Sequence, residues 1–125
     1  MSQYTDSAFK SFVCSGAIPA FARVILNGSG KLALAGLTDK EIGTIEEASF
    51  ADGDVRAVRL RTAPGTVKMI AAAAIALNGV VFTAASGQVS NTAVTAFQVG
   101  TALEAAGAAG DVIEVLRINH GDTAA

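Results

Sequence analysis

Apolar residues in this chain occur in short runs that are separated by glycine-containing turns. A run, a tight turn and a second run follow one another in the order expected of β-hairpins. The predicted strands are residues 23–26, 31–34, 42–45 and 54–60 and, later in the chain, 80–83, 88–90, 99–102 and 111–118. Residues 38–41 and 94–97 are compatible with short helical turns. The pattern indicates a protein built mainly of short strands.

The chain also repeats itself. A shift of 57 positions aligns its two halves without a gap, and the matches include Gly, Thr, Glu and Asp as well as alanine. Gly43-Thr44 falls on Gly100-Thr101, and Gly53-Asp54-Val55 falls on Gly110-Asp111-Val112. Matches of this kind in one register indicate a tandem duplication, so the two copies are expected to share a structure.

The duplication helps to interpret one ambiguous segment. Residues 70–75 read Ile-Ala-Ala-Ala-Ala-Ile, which favours a helix by propensity. Their equivalents, residues 13–18, contain Gly16 and are followed by Pro19, which is a poor helix sequence. Both segments are therefore predicted to be extended or irregular.

These patterns predict a mainly β protein, a small β-sandwich or barrel built from two tandem pseudo-repeats of about 57 residues. Residues 12–118 are expected to form one compact domain. The predicted organisation is an N-terminal arm at residues 1–11, a first unit at 12–60, a linker at 61–68, a second unit at 69–118 and a C-terminal tail at 119–125.

Composition narrows the possible partners. The chain is 51% hydrophobic and carries nine Lys and Arg against eleven Asp and Glu, for a net charge of −2. A nucleic-acid binder needs a concentrated basic surface, which scattered cations do not supply. The longest apolar stretch, residues 69–77, is too short to span a bilayer, and no basic amphipathic segment is present. We therefore expect neither nucleic acid nor membrane as a partner.

One segment resembles a phosphate-binding loop. Gly28-Ser29-Gly30-Lys31 would need a glycine at position 25 and Ser or Thr at position 32, and these positions hold Ile25 and Leu32. The second copy has no lysine at the equivalent place. A hairpin turn explains the segment in both copies, so no nucleotide or other cofactor is predicted.

The remaining candidate groups also favour structural roles. Glu46, Glu47 and Glu104 are expected at a solvated strand end or an interface. Asp54 and Asp111 follow glycines in equivalent turns, where Asp commonly accepts hydrogen bonds from the turn backbone. Cys14 is expected to be a small buried residue, and His120 lies in the predicted tail, so a zinc set is incomplete. We predict no catalytic and no metal-binding residues, and an enzyme is the least favoured class.

Several segments taken together resemble a known family. They include Gly16-Ala17-Ile18, Gly65-Thr66-Val67-Lys68, residues 81–87, residues 99–105 and residues 109–116. In these segments the chain is similar to the capsid cement, or decoration, proteins of tailed bacteriophages, over residues 12–116. It departs from the family pattern at Asn78-Gly79, where Ala-Gly is usual, and at residues 19–22, where a glycine is usual.

The resemblance implies a structural virion protein that binds the outside of the capsid shell and stabilises it. It implies a homotrimer at local three-fold positions, with the major capsid protein as partner. The first residues lack the basic start and apolar run of a signal peptide, so synthesis in the host cytoplasm is expected. Two alternatives stay open: another virion adaptor, of the tail or baseplate, and a carbohydrate-binding module. Shell-binding assays separate the first, and glycan binding would support the second.

The N-terminal segment is the predicted contact with the shell. Residues 2–12 have an extended, aromatic-bearing character and include Ser2, Gln3, Tyr4, Phe9 and Phe12. An extended arm can add a strand to an exposed sheet edge of a partner. The alternative is a frayed terminus.

Overall fold

The computed structural model describes residues 8–117 and consists of two five-stranded antiparallel sheets, with 45% of those residues in strands or isolated bridges. The first sheet contains β1 (Phe9–Val13), β2 (Arg23–Leu26), β3 (Leu32–Leu34), β4 (Gly43–Ile45) and β5 (Val55–Leu60). The second contains β6 (Val67–Ile70), β7 (Val80–Thr83), β8 (Val89–Ser90), β9 (Gln98–Ala102) and β10 (Val112–Arg117). The prediction of a mainly β protein of two similar halves is confirmed.

The two sheets have the same topology. Their strand orders are β1-β5-β4-β2-β3 and β6-β10-β9-β7-β8, which become identical when each number in the first is raised by five. A parallel bridge joins Cys14 to Leu32, and its equivalent joins Ala71 to Val89. The first bridge links the end of β1 to β3, and the second links the end of β6 to β8. These strands are the two edges of their sheet, so each bridge brings the opposite edges of one sheet together. Each sheet with its turns is called a unit below, the first at residues 8–60 and the second at residues 67–117.

Equivalent turns repeat in detail. Phe21 and Asn78 both adopt a left-handed backbone, with φ of 68° and 66°. In the turn before β5, Asp54 Oδ2 accepts hydrogen bonds from the backbone N–H groups of Phe50 and Ala51 at 2.9 and 3.1 Å. Asp111 Oδ2 does the same before β10, at 2.8 and 3.1 Å. The bonds from Phe50 and Ala51 hold the pKa of Asp54 below its usual value.

Each unit has its own apolar core of small and medium side chains. The core of the second unit is formed by buried Val, Ile, Ala and Met residues of all five of its strands and of its turns. The core of the first unit includes Cys14, Leu32 and Val58, together with Ile70 from β6 of the second unit. Because Ile70 belongs to the first core, the two units are joined by continuous apolar packing.

Three sequence predictions need adjustment. Residues 38–41 and 94–97 form no helical turns, and the helical structure within residues 8–117 is one 3-10 turn at Ala85–Gly87. Strand β1 begins at Phe9, so residues 9–11, which were assigned to the arm, belong to the first sheet. Strand β6 begins at Val67, so the connection between the units is shorter than predicted. In contrast, residues 13–18 and 70–75 have the same irregular, extended conformation, as predicted.

The units are fastened by a buried guanidinium. Arg23, on β2, is fully buried and donates five hydrogen bonds, which satisfy all of its N–H groups. Two of the acceptors are the backbone oxygens of Ala84 and Gln88 in the second unit, and a third is Glu41 Oε1 at 3.3 Å. On the opposite side of Glu41, Arg117 Nη1 lies 3.8 Å from Oε2. Burial lowers the pKa of Arg23 and lowers that of Arg117 to about 10.

Alanine at Gly43 or at Gly100 should destabilise the protein. An ideal Cβ at Gly43 would overlap the Arg59 carbonyl of β5, and one at Gly100 would overlap the Leu116 carbonyl of β10. Because backbone atoms are the obstacle, each substitution should cost about 2 kcal/mol or more in urea unfolding. Gly16→Ala is the matched control, since a Cβ there meets nothing within 4 Å. Similar losses at all three sites would contradict the close-approach explanation.

The Arg23–Glu41 pair can be tested with the residues that the second copy carries. The equivalent positions hold Val80 and Gln98. Removing one partner of a buried ion pair costs about 3–5 kcal/mol, because the other charge stays buried. Arg23→Val and Glu41→Gln should therefore each lower the free energy of unfolding, and the double variant should lose less than the sum. Simple additivity in this cycle would show that the pair is not coupled.

Candidate interaction surface

The predicted shell-contact residues that fall within the structure lie on β1. Phe9 pairs with Arg59, and Phe12 pairs with Arg56, across the β1–β5 ladder. Successive side chains of a strand point to opposite faces, so these two aromatic rings lie on different faces of the sheet. Phe12 packs against the first core, whereas Phe9 is 39% exposed. Only Phe9 of the pair is therefore available to a partner.

Basic side chains lie close to both rings. The Arg59 guanidinium carbon is 5.6 Å from the centroid of Phe9, and Lys10 Nζ is 5.8 Å from that of Phe12. Cation–π contacts of this kind add modest stability at exposed sites. The Arg59–Phe9 contact also joins β1 to β5, so β1 is a structural part of the first sheet. Ser2, Gln3 and Tyr4 lie outside the described residues.

A cleft of about 560 Å³ lies between the two units. It is lined by Glu46, Arg59, Thr66, Val67, Lys68, Glu104 and Glu114. Thr66 Oγ1 donates to Glu114 Oε2 at 2.7 Å, and Glu104 Oε1 accepts from the Glu114 N–H at 3.1 Å. Glu104 and Glu114 are exposed, so water screens their charges. Glu104 and Glu114 thus both accept hydrogen bonds within the protein.

The glycine-rich segment after β2 is a hairpin turn. Asn27 Oδ1 accepts hydrogen bonds from the backbone N–H groups of Ser29 and Lys31, at 2.9 and 3.1 Å. Lys31 Nζ extends away from the turn to Asp52 Oδ1, at 2.9 Å. The backbone donors that would cradle a phosphate are thus directed at Asn27, which agrees with the turn predicted from sequence.

The other candidate groups are separated in the fold. Cys14 is buried within the first core. Within residues 8–117 no three His, Cys, Asp or Glu side chains lie close enough to hold a metal ion. Over the same residues no helix has the length and hydropathy needed to cross a membrane. His120 lies outside the described residues.

A scan against models of known protein families finds no match, and a search of curated proteins finds none either. The resemblance to capsid cement proteins therefore stays a prediction made from the residues quoted above. What the geometry contributes is a rigid duplicated scaffold with apolar side chains left at its surface. The most exposed of these are Phe50, Val55, Leu77 and Val94.

Sequence reasoning missed the junction between the units. The hydrogen-bond partners of Arg23 at this junction are mostly backbone oxygens, whose positions cannot be recognised from the sequence. A signal was nevertheless present, because Arg23 and Glu41 are charged in the first copy and are Val80 and Gln98 in the second. A pair of charges present in only one of two copies marks a place where the copies have different neighbours.

Deletion of residues 2–11 should destabilise the protein, because it removes three of the five residues of β1. The hydrogen bonds that these residues share with β5 are each worth about 0.5–1.5 kcal/mol. Deletion of residues 2–7 spares β1 and is the matched control. Urea unfolding should show a lower midpoint for the longer deletion only. Equal midpoints for both would mean that the β1–β5 ladder contributes little.

Proposed function

We propose that the protein is a structural component of a phage virion that binds the outside of the capsid shell and stabilises it. The observation that supports this proposal most directly is the duplicated β scaffold itself. Two small units share apolar packing and a satisfied buried guanidinium, so their relative position is fixed. Large apolar side chains stay exposed on the outer surface. Such a body can present surfaces to a partner with little loss of conformational entropy on binding.

The mechanism is a clamp across the joints of a shell. Packed genome pushes the shell subunits apart, and a protein that touches several subunits adds contacts across the joints between them. Three linked copies would raise the effective concentration of each contact, so contacts that are weak individually can hold together. A closed three-fold assembly matches a three-fold site on the shell. We therefore propose a homotrimer bound to the major capsid protein.

The proposed contact with the shell is the N-terminal segment with Ser2, Gln3, Tyr4 and Phe9. Phe9 begins an edge strand of the first sheet. A strand of the shell that pairs with the segment before Phe9 would follow the common mode of strand addition. Because residues 9–12 already pair with β5, the shell would be met by the residues that precede them.

Binding to expanded, undecorated capsid shells tests the proposal. The wild-type protein should bind stoichiometrically in sedimentation and in electron micrographs. Deletion of residues 2–7 and the single substitution Tyr4→Ser should weaken binding by about tenfold or more without lowering the midpoint of urea unfolding. Ala109→Ser is the control, because Ala109 is exposed, is not one of the large apolar side chains and lies far from β1 in the sequence.

Absence of binding by the wild-type protein would overturn the proposed function. Binding that survives the deletion of residues 2–7 would contradict only the role of the N-terminal segment. Binding to purified tails, with none to shells, would favour the virion-adaptor alternative.

A further inference from the structure

The two units contact each other through different surfaces. In the second unit, Thr83 Oγ1 donates to the Leu37 oxygen at 2.6 Å, and the Gly87 N–H donates to the Ala35 oxygen at 2.8 Å. Thr83 and Gly87 lie on β7 and the 3-10 turn, whereas Ala35 and Leu37 follow β3 in the first unit. The junction therefore joins one face of the second unit to a different face of the first.

A two-fold junction would repeat each contact with the roles of the units exchanged. The exchanged contacts would join Leu26 to Val94 and Gly30 to Thr92, which are the equivalents of the residues above. These four residues are exposed instead, Leu26 by 42% and Val94 by 66%. The units are thus arranged head to tail, as in a heterologous interface between subunits.

Head-to-tail packing leaves one copy of each face uncovered. The docking face of the second unit is the surface, including Thr83 and Gly87, that contacts the first unit within the chain. The equivalent surface of the first unit, the open docking face, is formed by Ser11, Val13, Leu26, Asn27, Gly30 and Lys31. The receiving face of the first unit is the surface, including Ala35 and Leu37, that contacts the second unit within the chain. The equivalent surface of the second unit, the open receiving face, is formed by Asn78, Val80, Thr92, Ala93 and Val94. All of these residues are exposed or half-buried.

The open faces are apolar where they would meet. Val13 and Leu26 on the open docking face are 39% and 42% exposed, and Val80 on the open receiving face is 43% exposed. Val80 stands where the first copy has Arg23, so contact there buries no guanidinium. Burial of these side chains would be favourable at about 25 cal/mol per Å² of apolar surface removed from water.

The cleft between the units supplies an independent comparison. Within the chain its lining includes the charged residues Glu46 and Arg59 from the first unit and Thr66 from the connection before β6. In a repeated junction between chains, the equivalent positions are Leu103, Leu116 and Phe9. All three are exposed large apolar residues, which a second copy of the junction would gather into one place. The other four lining positions correspond to Lys10, Ser11, Glu47 and Ala57, so a repeated cleft would bring three large apolar side chains together beside two charged ones.

Two contacts across the junction indicate a rotation rather than a translation. Lys40 Nζ lies 4.9 Å from the ring centroid of Phe97, and Arg117 Nη2 donates to the Leu60 oxygen at 2.7 Å. Each pair joins equivalent positions, because 97 and 117 follow 40 and 60 by 57. Equivalent residues of successive units approach each other near the rotation axis that relates the units. Repetition of such a step forms a closed ring when the rotation divides a full turn and carries no translation along the axis, and an open filament otherwise.

We propose that copies of the chain assemble head to tail into a closed ring, with the open docking face of one chain seated on the open receiving face of the next. Each joint between chains repeats the packing of the two units within a chain. The inference rests on the proposed function only for the number of chains, three, and hence six units. The interface itself follows from the fold.

Complementary variants test the head-to-tail arrangement without capsid shells. Leu26→Glu damages only the open docking face, and Val94→Glu damages only the open receiving face. Each variant alone should be monomeric, with the dissociation constant raised by about tenfold or more. An equimolar mixture should form a dimer that cannot grow, because one undamaged docking face meets one undamaged receiving face. Native mass spectrometry and analytical ultracentrifugation would show the masses.

Phe50→Glu is the control, since Phe50 is more exposed than either residue and belongs to neither face. It should assemble as the wild type does. Circular dichroism and urea unfolding establish that the variants are folded, and the milder pair Leu26→Ser and Val94→Ser replaces them if they are not.

Three outcomes would overturn the proposal. The wild-type protein could stay monomeric at its highest soluble concentration, or one of the two variants could assemble to the wild-type mass, as in a two-fold interface. The mixture could also fail to dimerise. If the wild-type protein assembles into the ring but does not bind capsid shells, the proposed function is contradicted and the head-to-tail ring is not.

Discussion

Burial of the Arg23 guanidinium between the two units is the constraint on which the rest of the arrangement depends. A buried charge costs several kcal/mol unless its hydrogen bonds and its counter-charge are in place. Arg23 meets this condition through five bonds to five residues, Gly36, Asp39, Glu41, Ala84 and Gln88, that lie in both units. Small rotations of one unit against the other would break the two bonds to Ala84 and Gln88 in the second unit. The guanidinium therefore selects one relative position of the units, and that position decides which faces stay open.

Positions at which the two copies differ indicate the junction between the units better than positions at which they are identical. Identical pairs such as Gly43 and Gly100 are explained within a unit, by the close approach of a neighbouring strand. Pairs that differ, such as Arg23 and Val80 or Arg59 and Leu116, lie at a junction inside the chain in one copy and at the surface in the other. A duplicated unit whose faces have unlike neighbours is expected to diverge at those faces. Of the two charges paired at the junction within the chain, Arg23 is accordingly replaced by the apolar Val80, and Glu41 is replaced by the uncharged Gln98.

The sequence predicted the parts of the fold that local chemistry determines. Turn residues such as Asp54 and Asp111 are recognisable because their side chains bond to the adjacent backbone, and the repeat excluded a helix at residues 70–75. It did not predict that β1 begins at Phe9, because β1 and β6 share no identical residue and a ladder is held by backbone groups. The junction was missed for a related reason. The carbonyl oxygens that bind Arg23 come from positions 61 and 65 residues away, and nothing in their side chains marks them.

Phe9 is the point at which the two proposals meet. Its equivalent, Thr66, lines the cleft between the units, so in a head-to-tail ring Phe9 would lie at the joint between two chains. A large apolar side chain is better placed in such a joint than in water, because its burial removes apolar surface from the solvent. The chain enters β1 beside Phe9, so the segment proposed to contact the shell is attached at each joint of the ring. Contacts with the shell would then be spaced by the same rotation that closes the ring, and a shell site of matching symmetry could engage all of them together.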